Sequence, residues 1–277
     1  MDGMKREGAP MGHRVWNGLL QAAWRFYLLL IVVFLLFPAL LVVVVSFDTA
    51  SYMRFPPDGF TLRWYQTAFA SETIRLAIYN SMIVAVVSTA ASIALAVPAA
   101  IVIVRRRFPG RDALYTFLMS PIAVPWVVFG LALLYLWSAA GWNRGLTAIA
   151  IGHTVIGMPY VLRTCTAVLS HATPSCELAA RTLGAGPWNT FRLVTLPMMK
   201  AGVIAGATFC LLISFINVPV PLFLTTSSST TLQIAIFSYM FSNYDPGVAA
   251  IASFQLVIIL LALYVAQRIA NLREFIV

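Results

Sequence analysis

Charge is what this sequence has least of. Only 10% of its 277 residues are charged and just 9 are acidic, whereas soluble domains carry about 25% charged residues. No charged residue falls deep inside any of its long apolar runs. That excludes a voltage sensor or an intramembrane proton relay, since both need ionisable groups within the bilayer. Cysteine is scarcer still. Cys165, Cys176 and Cys210 share no metal-ligand spacing and read as small filler. His153 and His171 are 18 residues apart, roughly 27 Å along a helix, too far to hold one metal or haem. His153 reads instead as a packed, hydrogen-bonding residue within an apolar run. A Gly-x-Ser-x-Gly elbow, a His-Glu-x-x-His pair, a carboxylate dyad and a Walker A loop are all missing. Serine-hydrolase, zinc-protease and unaided ATPase chemistry are thereby excluded.

What is present is oil: 61% of the residues are hydrophobic. Apolar runs near 20 residues long are the length that spans a hydrocarbon core as a helix. Six such runs predict an all-α polytopic membrane protein, at about Phe26–Val45, Leu76–Val104, Ala113–Trp137, Leu146–Leu169, Gly202–Leu224 and Val248–Gln267. The first run is too long for a signal peptide and its leader too extended, so it reads as a retained span. Residues 1–25 are expected as a cytoplasmic N-terminal segment, and 26–277 as one six-helix domain that includes a polar loop at 170–201.

The net charge of +9 raises nucleic acid as a partner, and its distribution removes it. Lys5, Arg6, Arg14 and Arg25 precede the first run. Arg105, Arg106, Arg107 and Arg111 separate the second from the third, and Arg163, Arg181, Arg192 and Lys200 cluster around the loop. Arg268 and Arg273 end the chain, while the alternate connections hold only Arg54, Arg63, Arg75 and Arg144. This is the positive-inside bias of a membrane protein. It predicts both termini and the 170–201 loop in the cytoplasm, and leaves no basic patch for a nucleic acid.

Prolines interrupt two runs. Pro121 and Pro125 stand in the third, Pro219 and Pro221 in the fifth. A helix does not pass undisturbed through such pairs, and broken backbone at membrane depth survives where protein or a watery cavity covers it. Ser214 and Asn217, just before the second break, are expected to line a translocation pathway with these prolines. Tyr160, Trp126 and Tyr135 offer cation–π faces to an amine, with bundle packing as the alternative. In the first outer loop, Thr61–Phe69 predicts an interfacial helix, with Trp64, Tyr65 and Phe69 either anchored at headgroup level or docking a partner.

The polar loop is the most structured of the connections. Thr173 is placed to cap a helix whose first residue is Pro174. That helix is predicted to run to Leu183 and stop at Gly184. Glu177 lies in its first half, where the dipole favours it. Ala179 and Ala180 are small enough for close approach. After Ala185, Pro187 opens a second helix through Phe191, Arg192 and Val194, which Pro197 is expected to end. Two such short helices are marginal alone, and Leu183, Trp188 and Phe191 beside arginines are typical docking anchors.

This loop resembles the "EAA" loop of permease subunits of bacterial binding-protein-dependent ABC importers. That pattern is Glu-Ala-Ala, three residues, Gly, nine residues, then Ile-x-Leu-Pro. Counting back from Gly184 puts the alanines on Ala179 and Ala180, and Val194, Leu196 and Pro197 match its end with Val for Ile. Leu178 stands where the pattern has Glu, and Glu177 lies one place earlier. "FPPDGFTLRWY", "NSMIVAVVST" and "YDPGVAAIAS" look like the polyamine-type group of these permeases.

The resemblance implies a type I, MetI-like fold in the bacterial inner membrane, without catalysis or a cofactor of its own. It implies a second permease subunit, two cytoplasmic ATPases that bind ATP and Mg, and a periplasmic substrate-binding protein. It further implies that Glu177, Ala179, Ala180, Arg181, Leu183, Gly184, Ala185, Trp188, Phe191, Arg192 and Pro197 dock on an ATPase. Gly184→Asp is then expected to disrupt coupling, through φ strain and added bulk; substrate-stimulated ATP turnover in the reconstituted complex measures it. A polyamine or related amine is the favoured solute, although Ser214-Phe215-Ile216-Asn217 lacks the acidic residues many polyamine-type relatives have there. The rivals are half of a secondary transporter, which would need an ionisable midplane site and inverted repeats, and a membrane enzyme or redox subunit, which would need paired ligands or a nucleophile–base pair.

Overall fold

The computed structural model describes residues 11–270, with side chains described from 19 to 269. The first ten residues of the expected N-terminal segment, and the chain end with Arg273, lie outside the described residues. Helix α1 (Met11–Val45) starts well before the apolar run at Phe26. From Leu19 onward it is almost wholly exposed, and it touches the rest mainly through its far end. Its partner there is the last helix, α12 (Gly247–Ala270). A helix that is apolar all round and unburied is one whose solvent is lipid.

The centre of the molecule is three long helices: α3 (Glu72–Arg105), α6 (Leu146–His171) and α9 (Leu196–Ile216). They meet in a core of Ala96, Val97, Ala100, Val161, Leu162, Cys165, Leu169, Met199 and Cys210. Small residues set how closely they cross. A Cβ on Gly206 would lie 2.6 Å from the Val161 Cα, and one on Gly202 would lie 2.8 Å from the Thr164 carbonyl oxygen. The Thr164 hydroxyl donates to the Gly202 carbonyl at 2.7 Å. Gly202-x-x-x-Gly206 is thus the small-x-x-x-small seam by which membrane helices pack backbone to backbone.

The third run is not one straight span. Helix α4 (Arg111–Met119) and a 3-10 turn (Ser120–Ile122) are followed, after a 98° bend, by α5 (Trp126–Ala139). Pro121 is the second residue of the 3-10 turn, and Pro125 is extended at ψ 126°, so the break occupies the whole proline pair. The fifth run breaks too. Helix α9 ends at Ile216, Asn217 is extended, and α10 (Pro219–Leu224) follows. The two broken pieces pack on one another: Gly130 of α5 leaves room for the backbone of α10, since a Cβ there would be 2.7 Å from the Pro219 oxygen. Five helices among the described residues are long and apolar enough to cross a membrane, and the bent pair makes a sixth.

Two features of the face opposite the polar loop depart from expectation. Helix α2 (Arg63–Ala70) forms as expected, but Trp64 and Tyr65 turn inward. The Trp64 indole donates to the Asp48 carbonyl at 2.7 Å, and the Tyr65 hydroxyl bridges Ser46 and Ser253 at 2.7 and 2.6 Å. The Phe69 ring meets Phe254 edge-on at 4.7 Å. The polar ends of Trp64 and Tyr65 thus have partners within the subunit and staple α2 to the end of α1 and to α12, while Phe69 stays exposed. The second feature is an apolar helix the sequence reading lacks, α11 (Leu232–Ser242). At 11 residues it is roughly 16 Å long, too short to span. Helix α3 fixes its start: the Ser81 hydroxyl accepts the Leu232 N–H at 2.7 Å, and the Asn80 amide donates to the Thr230 carbonyl at 2.9 Å.

Candidate functional site

The polar loop folds as a helix, a turn and a second helix. Helix α7 (Ser175–Thr182) opens on Pro174, whose carbonyl accepts the Glu177 and Leu178 N–H groups at 3.1 and 3.2 Å. No side chain caps it, so the cap expected from Thr173 does not form. Its end is a Schellman motif. The Ala185 N–H reaches back to the Ala180 carbonyl and the Gly184 N–H to Arg181, each at 3.0 Å. Gly184 is left-handed at φ +86°, where a side chain is strained. A Cβ at Gly184 would meet nothing within 4 Å. Of the two reasons for disruption by Gly184→Asp, strain therefore has a counterpart within the subunit and bulk has none.

Pro187 opens the next helix, as expected, but Pro197 does not close it. Helix α8 (Pro187–Thr190) runs through a π turn (Phe191–Thr195) straight into α9, so that residues 187–216 are one continuous helix. In the π turn the Leu196 N–H bonds the Phe191 carbonyl, one residue further back than in an α-helix. The helix passes Pro197 immediately after this widened turn. The consequence is mechanical. The second half of the loop is the end of a central helix, not a separate piece.

The two halves present an apolar face to the outside. Leu178, Leu183, Trp188 and Leu193 are 62, 88, 68 and 69% exposed. Ala179, Arg181, Arg192 and Pro197 are also exposed, while Ala180 and Ala185 are half-buried. Phe191 is only half-exposed: it packs on the core of α3, α6 and α9, with the Trp188 ring 5.4 Å away. Leu178 and Leu193 belong to the outer face, though they were absent from the expected anchors.

Glu177 reaches toward the end of α3. Its Oε1 accepts a hydrogen bond from the Arg105 Nε at 3.2 Å, and the Nη2 stands in ion-pair contact with the same oxygen at 3.2 Å without hydrogen-bond geometry. Together with Arg106, Arg181 and Phe191 this pair lines a cleft of about 400 Å³ between α3, α7 and the π turn. Arg105 is a residue that sequence reasoning missed as part of the site. The one signal for it was that Glu177 lies a place away from the motif position.

The expected pathway residues do not form a single surface of the subunit. Pro125 is exposed; Pro121, Tyr160 and Pro219 are half-buried; Ser214, Asn217 and Pro221 are buried. The buried polar pair holds the helix break. The Asn217 Oδ1 accepts the Val220 N–H at 3.0 Å, and the Ser214 hydroxyl lies 2.7 Å from the His153 Nδ1. His153 is thus a packed hydrogen-bonding residue of the bundle. Ser214→Ala removes that partner while leaving the ring buried, and is expected to cost about 1–2 kcal/mol. A lowered unfolding midpoint of the purified chain in detergent measures it.

A family model described as "binding-protein-dependent transport system inner membrane component" matches residues 92–273, which include the core helices from the middle of α3 onward and the whole loop. The chain belongs to that family. This inner membrane component is 29% identical over 243 residues to the putrescine transport system permease protein PotI of Escherichia coli (strain K12), covering 85% of this chain and 86% of that one. It is 26% identical over 245 residues to the spermidine/putrescine transport system permease protein PotC of Haemophilus influenzae, covering 88% and 95%. A probable molybdenum ABC transporter permease protein of Haloferax volcanii is 33% identical over 150 residues, covering 51% and 56%. Among solved structures, a bacterial ABC transporter involved in import of the acidic polysaccharide alginate has a chain that superposes with a TM-score of 0.72 at 16% identity, covering 94% of this chain and 98% of that one. The shared fold is that of type I importer permeases. The inner membrane component is a multi-pass subunit of a transport system, and the secondary-transporter and membrane-enzyme readings are not favoured.

Proposed function

We propose that the chain is the permease subunit of an ATP-driven importer of a small amine of the polyamine class, paired with a second permease. In this reading the 170–201 loop faces the cytoplasm and docks in a groove on a partner ATPase, which alone binds ATP and Mg. A periplasmic binding protein delivers the solute to the opposite face. One observation carries the reading. Leu178, Leu183, Trp188 and Leu193 form an apolar face on a rigid helix–turn–helix that the bundle itself leaves uncovered, inside the segment matched by the family model. A rigid plug continuous with a central helix delivers displacement to the bundle; a floppy loop would dissipate it.

The solute class is favoured by the two relatives named for putrescine and spermidine, which are matched over most of their length. Ser214 and Asn217 have no acidic neighbours in sequence, so in this reading the binding protein and the second permease recognise the amine's charge. Proteoliposomes holding the assembled complex, with ATP on the loop side and labelled putrescine with its binding protein on the other, test it. ATP-dependent uptake competed by spermidine and not by molybdate is the expected result. Molybdate uptake would replace the solute, and ATP-independent uptake would overturn the importer.

A further inference from the structure

We infer that Arg105 is the positioning residue through which movement of α7 enters the transmembrane bundle. The inference rests on the docking reading above and goes beyond it. Helix α7 buries none of its residues, and its main packing is on α8 and the π turn just downstream. Hydrophobic burial therefore does not bind it to α3 or α6. One side chain does. Arg105 is the last residue of α3; its Nε donates to the Glu177 Oε1 at 3.2 Å, and its Nη2 is in ion-pair contact with the same oxygen at 3.2 Å. Its Nη1 donates to the Leu169 and Ala172 carbonyls at 3.3 and 3.2 Å, where α6 ends. The end of α3, the end of α6 and the first turn of α7 thus converge on one guanidinium.

The chemistry suits a strut. A guanidinium is planar, always charged and presents several donors in a fixed fork, so one group can satisfy a carboxylate and two carbonyls without changing shape. Its charge sits at the C-terminal ends of two helices, where a cation is favoured. The side chains of Arg105 and Glu177 are only 14 and 13% exposed, so salt screens the pair less than a surface pair. Removing either partner leaves the other charge buried and unanswered. The continuous helix from Pro187 couples the second half of the loop to α9 through the backbone. Arg105 gives the first half, which has no backbone continuity with α3, an equivalent connection. Glu177 turned inward also explains how the loop tolerates Leu178 at the motif position: the carboxylate serves the bundle, and the outer face is left apolar.

The test uses the assembled complex in nanodiscs, with one spin label on the natural, exposed Cys176 of α7 and a second on Leu95→Cys, exposed on α3. The buried Cys165 and Cys210 are shielded from labelling. In the parent, the distance between labels should be narrow and the same in nucleotide-free and ATP–vanadate states, because α7 and α3 move as one body. In Arg105→Gln, and in Glu177→Gln as the variant of nearly unchanged shape, the distance should shift between the two states while ATPase retention stays parental. Arg105→Lys keeps the ion pair but not the fork, and should give an intermediate shift. Parent-like distances in both glutamine variants would overturn the strut alone. Loss of the ATPase from the parent complex would overturn the docking reading and the strut with it.

Discussion

Gly206→Ala is expected to leave little correctly folded subunit in the membrane. The added methyl would sit 2.6 Å from the Val161 Cα and 2.5 Å from the Thr164 Oγ1. The first of these is backbone, which cannot rotate away, so α6 and α9 must separate. Separation also stretches the bond from Thr164 to the Gly202 carbonyl, and it reduces packing throughout the crossing. Between membrane helices there is no hydrophobic force to compensate, because lipid tails are as apolar as the helices, and packing itself drives association. Overpacking a soluble core costs about 1–3 kcal/mol, and a rigid backbone contact places this site at the upper end. The measurement is the monodisperse fraction of purified chain on size exclusion, with Gly186→Ala as control. Gly186 is exposed, has an extended backbone, and a Cβ there would meet nothing within 4 Å; that variant should match the parent.

Trp188→Ala should have the largest effect on assembly. Trp188 lies on the first turn of a helix that continues to Ile216, so its ring is held on a rigid base while remaining 68% exposed. A large exposed aromatic held in place beside a second ring, Phe191, is the kind of anchor found at the centre of interfaces, where truncation costs about 2 kcal/mol or more. That corresponds to a fall in affinity for the ATPase of about 30-fold or more, read by titrating labelled ATPase onto the chain in nanodiscs. Phe191→Ala separates docking from folding. The Phe191 ring packs on the three-helix core, so its loss should lower the unfolding midpoint as well, whereas Trp188→Ala should leave the midpoint unchanged.

Much of the fold was legible because its signals are local. Apolar runs of spanning length, proline pairs at Pro121 and Pro219, and Gly184 after a helical stretch each act within a few residues. What was not legible depends on partners far along the chain. Arg105 and Glu177 are 72 residues apart, and no periodicity in either helix announces the other. Pro197 is the opposite case. The local rule that a proline ends a helix is outweighed here by a π turn that carries the helix past Pro197 into α9. Helix α11 was lost to the length criterion, because it depends on Ser81 and Asn80 of α3 for its start and not on crossing a membrane. Trp64 and Tyr65 were assigned to headgroups because nothing in their spacing shows that Asp48, Ser46 and Ser253 wait for their polar ends.

The central claim is that the uncovered loop face receives an ATPase. Isolating the tagged full-length chain from the membranes of its own organism, and quantifying what accompanies it by mass spectrometry, tests this most directly. The account predicts an ATP-binding subunit with a Walker A loop, in amounts comparable to the chain and accompanied by a second permease, and a sharp loss of that subunit in Trp188→Ala. A folded chain isolated without any ATPase, or an ATPase held equally well by Trp188→Ala, would contradict it.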